Sequence, residues 1–196
     1  MNFEASETKL NLMRAFAGES QARNRYTLAA NSAKKKNLYV VEAVFKFTAR
    51  QELAHAEIFY EHMKELAGSN IRIDGAYPID ISDSAAELLR FAQHNEYEEH
   101  DDVYKNFAAK AREEGFTQIA LSFENIAKIE KTHGDRFGKF AELLENNKLF
   151  VSDSECEWMC LNCGHILTDY KAPYVCPVCK HDQGFFVRLE LAPYTE

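Results

Sequence analysis

Glu52-Leu53-Ala54-His55 and Glu130-Lys131-Thr132-His133 are one short motif, Glu-x-x-His, written twice. About one long helix before each copy stands a glutamate among apolar residues: Glu19 before the first, Glu96 before the second. Glu19 precedes Glu52 by 33 residues and Glu96 precedes Glu130 by 34. The first 150 residues therefore read as one helix pair written twice.

Residues three apart on a helix share a face. A Glu and a His at that spacing can bind one metal ion or flank two. Imidazole suits iron as well as zinc, and carboxylates suit hard cations and can bridge them. A carboxylate on one helix and Glu-x-x-His on the next, repeated, is the ligand pattern of di-iron carboxylate bundles. Glu99 is a further carboxylate, one turn beyond Glu96; the matching position after Glu19 is Ala22. The bland alternative is surface decoration, since 31 acidic residues make a chance Glu-x-x-His cheap. But Glu19, Glu52, Glu96 and Glu130 lie in or beside apolar helix faces, and a buried carboxylate is costly unless paired or bound to a cation.

Apolar periodicity predicts helices over 5–36, 39–67, 83–115 and 116–146. Ser84-x-x-Glu87 matches a capping box at the third. The connection 68–82 is long for a bundle and suits the single crossover of a ferritin-like fold. His62, His94 and the His100-Asp101-Asp102 run are expected at the solvent surface. Residues 147–155 read as a linker. Beyond it the composition shifts to cysteine, proline and aromatics with β-type spacing.

All five cysteines lie after residue 155. Four form Cys160-x2-Cys163-x12-Cys176-x2-Cys179, a strong four-thiolate signal that holds zinc or iron. A structural zinc ribbon is the plain reading. Cys-Pro-x-Cys, Cys-x-x-Cys-Gly, Trp158 and Tyr174 tilt it toward a rubredoxin-like iron centre. Cys156 reads as an inert extra thiol and His165 as a surface residue of a knuckle.

The net charge of −8 argues against nucleic acid, which needs a basic patch, and against anionic membranes. The N-terminus carries no signal-peptide pattern and no run is long enough to span a membrane, so the expected location is cytoplasmic. No Gly-x-Gly-x-x-Gly follows a strand, so NADH binding is not expected.

Taken together, Gly18-Glu19-Ser20-Gln21-Ala22-Arg23-Asn24-Arg25-Tyr26, the two Glu-x-x-His motifs, Glu96-x-x-Glu99 and the cysteine tail resemble the rubrerythrin family over almost the whole chain. The resemblance implies a mainly α chain: a ferritin-like di-iron four-helix bundle over 1–146, a linker over 147–155 and a small rubredoxin-like β domain over 156–196. It implies iron ligands at Glu19, Glu52, His55, Glu96, Glu99, Glu130 and His133, and a mononuclear Fe(Cys)4 centre at Cys160, Cys163, Cys176 and Cys179. Tyr26 and Tyr104 match tyrosines beside the di-iron site, with Glu99 the third residue expected to act in catalysis. The implied activity is reduction of hydrogen peroxide in oxidative-stress defence. Electrons would come from an external NAD(P)H-dependent reductase or rubredoxin, in a head-to-tail homodimer. Ferroxidase or oxygen-reducing chemistry is the first alternative, and a structural bundle with a zinc-ribbon interaction module the remote one. Asn95, Thr132 and Gly134 stand where the family commonly has glycine, a larger residue and a larger residue.

Overall fold

A computed structural model describes residues 2–193. The bundle is two helical hairpins. In the first, α1 (Glu7–Lys35) packs along α2 (Tyr39–Glu61); in the second, α3 (Ala85–Glu98) and α4 (Tyr104–Glu113) pack along α5 (Thr117–Glu145). Local chemistry sets the ends. Ser6 Oγ caps α1 by accepting from the Lys9 amide at 3.1 Å. Asn37 turns the chain into α2 at φ 57°, and Gly115 turns it into α5 at φ 91°. Asn can enter this left-handed region more readily than most residues, and Gly enters it freely. At α3, Ser84 Oγ accepts from the Glu87 amide at 3.3 Å. The Glu87 carboxylate, expected to complete a capping box, instead accepts from Ser82.

Two apolar layers fill the bundle. One holds Tyr26, Phe45, Leu89 and Phe137; the other holds Leu12, Phe59, Tyr104 and Phe123. The polar residues of the repeated motif lie buried with them.

The expected 83–115 helix is not continuous. A π-helical turn, Glu99–Val103, joins α3 to α4. Such a turn inserts one residue into the helical register. Its effect follows from the spacing of each glutamate to its tyrosine. Glu19 and Tyr26 are seven residues apart, and Glu96 and Tyr104 are eight. On a regular helix eight residues leave two side chains about 80° out of phase, and seven leave them about 20°. The inserted residue brings Tyr104 back onto the face of Glu96.

The departure at Gly134 also has a packing reason. A Cβ on Gly134 would lie 2.6 Å from the Tyr97 ring, so α5 is bare where α3 places a large aromatic. Tyr97 then donates from its hydroxyl to Asp135 at 2.8 Å.

The tail is a three-stranded antiparallel sheet, ordered β2-β1-β3, from β1 (Val151–Cys160), β2 (Ile166–Lys171) and β3 (Phe186–Arg188). Trp158, Phe186, Ala172, Cys160 and Cys176 form its core. Trp158 donates from Nε1 to the Asp169 carbonyl at 3.0 Å. Tyr174, by contrast, is 71% exposed; its ring takes the Lys171 ammonium at 4.2 Å instead of packing in that core.

The 147–155 stretch is not a free linker. β1 begins inside it at Val151, and Leu149 is buried in the same apolar cluster as Val40, Val41 and Phe140. The tail consequently sits on the end of its own bundle, not far from it. The Phe185 ring stacks on Tyr39 with centroids 4.0 Å apart. Gly184 approaches so closely that a Cβ there would lie 1.8 Å from the Asn37 carbonyl oxygen. No helix among the described residues is long and apolar enough to cross a membrane.

Backbone cannot yield as a flexible side chain can, so Gly184→Ala should force the tail off the α1–α2 turn. Hydrogen exchange at residues 36–40 should rise while the four-thiolate chromophore keeps its spectrum. Unchanged exchange would show that this contact does not hold the tail.

Candidate metal centres

The repeat places two Glu-x-x-His motifs face to face across the bundle, α2 against α5. Glu19, Glu52, His55 and Glu130 offer ligand atoms within 4.8 Å of one another, and so do Glu52, Glu96, Glu130 and His133. Glu52 and Glu130 belong to both groups, and their atoms show how. Glu52 sets Oε2 3.2 Å from His55 Nδ1 and Oε1 3.0 Å from His133 Nδ1. Glu130 sets Oε1 2.9 Å from His55 Nδ1 and Oε2 2.9 Å from His133 Nδ1. Each of these carboxylates therefore faces both histidines, which is the disposition of a bridging ligand. Glu19 lies on the His55 side and Glu96 on the His133 side.

These residues fit a metal pair for a reason beyond proximity. Both oxygens of Glu52 and of Glu130, one oxygen each of Glu19 and Glu96, and Nδ1 of both histidines are buried without a hydrogen-bond partner among the described residues. Buried polar atoms are rarely left so. They converge at short range without hydrogen-bond geometry, as atoms aimed at shared cations do. The outer oxygens are satisfied crosswise. Tyr104, on the second hairpin, donates to Glu19 at 2.5 Å, and Tyr26, on the first, donates to Glu96.

Electrostatics describe the same crowding. Burial, then repulsion from Glu130 and Glu52, pushes Glu19 well above the usual carboxylate range. Burial and Glu52 do the same to Glu96. Burial would lower His55 and His133, but their glutamates raise them to about 9 and about 12. Glu130 is pushed up by burial yet drawn down to about 2 by the two histidines.

Glu99 stands apart. It belongs to neither ligand group, is half-buried, and starts the π turn. Burial and repulsion from Glu96, Glu130 and Glu52 raise it well above the carboxylate range, so it lies within electrostatic reach of the cluster. It also lines a pocket of about 300 Å³ with Gly18, Tyr77, Pro78 and Tyr104.

In the tail, Cys160 and Cys179 sulfurs are 3.7 Å apart, as are those of Cys163 and Cys176. That is far beyond a disulfide and close to the edge of a tetrahedron about 3.8 Å long that metal–sulfur bonds of ~2.3 Å define. The two knuckles match. Gly164 and Lys180 both have left-handed φ, 75° and 65°, and their amides donate to the Cys160 and Cys176 carbonyls. The His181 amide draws Cys179 down to about 5, while burial pushes Cys160 up to about 12. Cys160 and Cys176 are buried and Cys163 is exposed.

The remaining residues sort as follows. His94, Asp101 and Asp102 are exposed. His62 is not simply solvated: its Nε2 is 2.8 Å from Ser122 Oγ, tying α2 to α5. His100 is half-buried, with Nδ1 2.6 Å from the Ala127 carbonyl. His165 is half-buried, and Cys156 is a free, half-buried thiol. Sequence reasoning missed Arg25, Tyr77, Asp80 and Asn95, which organise the crossover over the pocket. The length of 68–82 was the available signal.

A helical bundle with paired Glu/His groups able to hold two metals, carrying a four-thiolate knuckle domain, is thus the class that fold and sites define. The family model described as "Rubrerythrin" matches residues 11–141, and that described as "Rubrerythrin, rubredoxin-like domain" matches 158–187. The chain is 42% identical over 185 residues to the rubrerythrin of Porphyromonas gingivalis, covering 94% of this chain and 91% of that one. It is 39% identical over 186 residues to that of Clostridium perfringens, covering 94% and 95%. Reduced nigerythrin superimposes with a TM-score of 0.63 at 26% identity, covering 96% and 93% of the two chains. A Mycobacterium tuberculosis bacterioferritin, at 22% identity and a TM-score of 0.61 over 71% and 87%, shares the bundle fold. The chain belongs to the rubrerythrin family. Its cofactors are iron, a di-iron centre in the bundle and one Fe(Cys)4 centre in the tail, and it is an oxidoreductase.

The raised carboxylates and imidazoles must lose protons to ligate a cation. Loading the bundle with ferrous iron should therefore release protons, and its affinity should fall as pH falls. Calorimetric titration in two buffers of different ionisation enthalpy checks this; identical heats in both would contradict it.

Proposed function

We propose that the bundle reduces hydrogen peroxide to water in oxidative-stress defence, with Glu19, Glu52, His55, Glu96, Glu130, His133 and Glu99 as its iron ligands. Glu99 carries this reading: a carboxylate that feels the ligand cluster's charge, borders a pocket and yet stands outside both four-residue groups. Such a carboxylate would be available to hold a bound iron beside the other six residues. The bound iron pair supplies two electrons together and a Lewis acid for each peroxide oxygen.

The chain's own residues do the rest. Tyr26 and Tyr104 hold Glu96 and Glu19 in place through their hydroxyl protons. Both phenols are raised well above the usual range by burial, so they stay protonated as donors. Glu99 borders the pocket and can pass a proton to a departing oxygen. Two electrons and two protons cleave the O–O bond of peroxide and yield two waters.

The tail returns electrons one at a time, from an external NAD(P)H-dependent reductase or rubredoxin. Within one chain the route is long. The tail docks at Tyr39, and Glu52 lies thirteen residues further along α2, about 20 Å at the helical rise per residue. A head-to-tail homodimer, in which each tail serves its partner's bundle, provides a shorter path.

Mixing reduced protein anaerobically with peroxide, and separately with oxygen, tests the activity. Peroxide should oxidise the bundle site much the faster; the reverse order would make the protein an oxidase or ferroxidase. Glu99→Ala should retain two irons but slow peroxide oxidation, by about 10²-fold if the carboxylate acts as the proton donor. Cys160→Ser should preserve one turnover of pre-reduced protein and abolish sustained turnover.

A further inference from the structure

The crossover between the hairpins, 68–82, has little apolar anchorage. Ile79 and Ile81 are 84% and 85% exposed. Polar ties hold it instead. Arg14 donates to the Asp74 carboxylate at 2.7 Å and to its carbonyl at 3.2 Å. Tyr77 donates from its hydroxyl to the Arg14 carbonyl at 3.0 Å. Asp80 accepts from Arg25 on α1 and, at 2.8 Å, from Asn95 on α3. Those last two donors are chain neighbours of Tyr26 and Glu96, so the clasp sits directly over the cluster's own scaffold.

What the clasp holds in place is a wall. The Tyr77 ring lies against Gly18, where a Cβ would meet Tyr77 Cε1 at 3.8 Å, and forms part of the pocket's rim. The pocket, of about 300 Å³, is far larger than hydrogen peroxide needs. Ala15, Gly18, Pro78, Val103 and Phe107 make much of its lining apolar, and Glu99 and Tyr104 bring polar groups to it. A cavity with this much apolar lining, and with Glu98, Glu99 and Asp102 among the charged groups at its border, has a place for a small hydrocarbon end and for a hydroperoxide end.

We propose that this pocket is a substrate site for small alkyl hydroperoxides as well as hydrogen peroxide. Tyr77, on a lid latched by the Asp80–Arg25–Asn95 clasp, sets the upper size limit. The proposal rests on the peroxidase reading. The chemistry balances as ROOH plus two electrons and two protons giving ROH and water. The O–O bond breaks, the iron pair is the reductant, and the external donor restores it through the tail.

Sustained turnover with hydrogen peroxide, tert-butyl hydroperoxide and cumene hydroperoxide tests it, in the wild type, Tyr77→Ala, Asp80→Ala and Asn95→Gly. The wild type should reduce the first two and discriminate against the bulky aromatic peroxide by about tenfold or more. Tyr77→Ala and Asp80→Ala should erase most of that discrimination, read in each variant as the ratio of cumene to tert-butyl hydroperoxide turnover. Two readouts do not depend on turnover. Hydrogen exchange of residues 74–80 should rise about tenfold in Asp80→Ala and Asn95→Gly, and a bulky chelator should strip ferrous iron from Tyr77→Ala faster than from wild type. A wild type active on hydrogen peroxide but not on tert-butyl hydroperoxide would overturn the substrate assignment. Unchanged exchange and unchanged chelation would overturn the lid. If no peroxide is reduced at all, the peroxidase reading fails and the substrate assignment with it; exchange and chelation still decide the lid.

Discussion

Glu52 and Glu130 each turn one oxygen to His55 and the other to His133, and none of those atoms has a hydrogen-bond partner among the described residues. Everything else in the bundle answers that constraint. Several buried carboxylates at such range repel one another, and each ion taken out of water costs several kcal/mol even after relaxation. Cations between them offset both terms. The apolar layers above and below, around Phe45 and Phe137 on one side and Phe59 and Phe123 on the other, keep water from doing so instead. The fold is thus poorly satisfied by its own polar groups and well satisfied with iron.

The crosswise tyrosines extend this logic to the pairing of the hairpins. Each hairpin's tyrosine serves the other hairpin's glutamate, so neither half satisfies its outer carboxylate alone. A hydrogen bond to a charged group contributes about 1.5–3 kcal/mol. Two such bonds crossing between the halves favour their docking in one register.

Much of this was legible in the sequence. The duplicated motif, the apolar faces and the crossover length located the helices and the residues that the structure gathers into two ligand groups. The cysteine spacing located the second centre. What stayed hidden was long-range or a matter of phase. Nothing in Asp80, Asn95 or Gly184 taken singly announces its partner, since those contacts join residues distant in the chain. The linker reading failed for the same reason: Leu149 and Val151 look like an ordinary polar-flanked connection until β2, β3 and the bundle end are placed beside them. The π turn is the instructive case, because its signal was present. Spacings of 33 against 34 residues, and of seven against eight, differ by one inserted residue, which a regular helix cannot absorb without rotating Tyr104 off its face.

That insertion also explains why the duplication is asymmetric in chemistry. In α1 the turn after Glu19 is regular, and Ala22 and Gly18 leave it small. In the second hairpin the helix widens into the π turn just where Glu99 stands, one turn from Glu96. The widened turn and the small α1 face lie across one pocket from each other. One half of the repeat therefore contributes a spare carboxylate and the other contributes the space in front of it. A symmetric dimetal site has no preferred side for a substrate; a single inserted residue is enough to give this one a side.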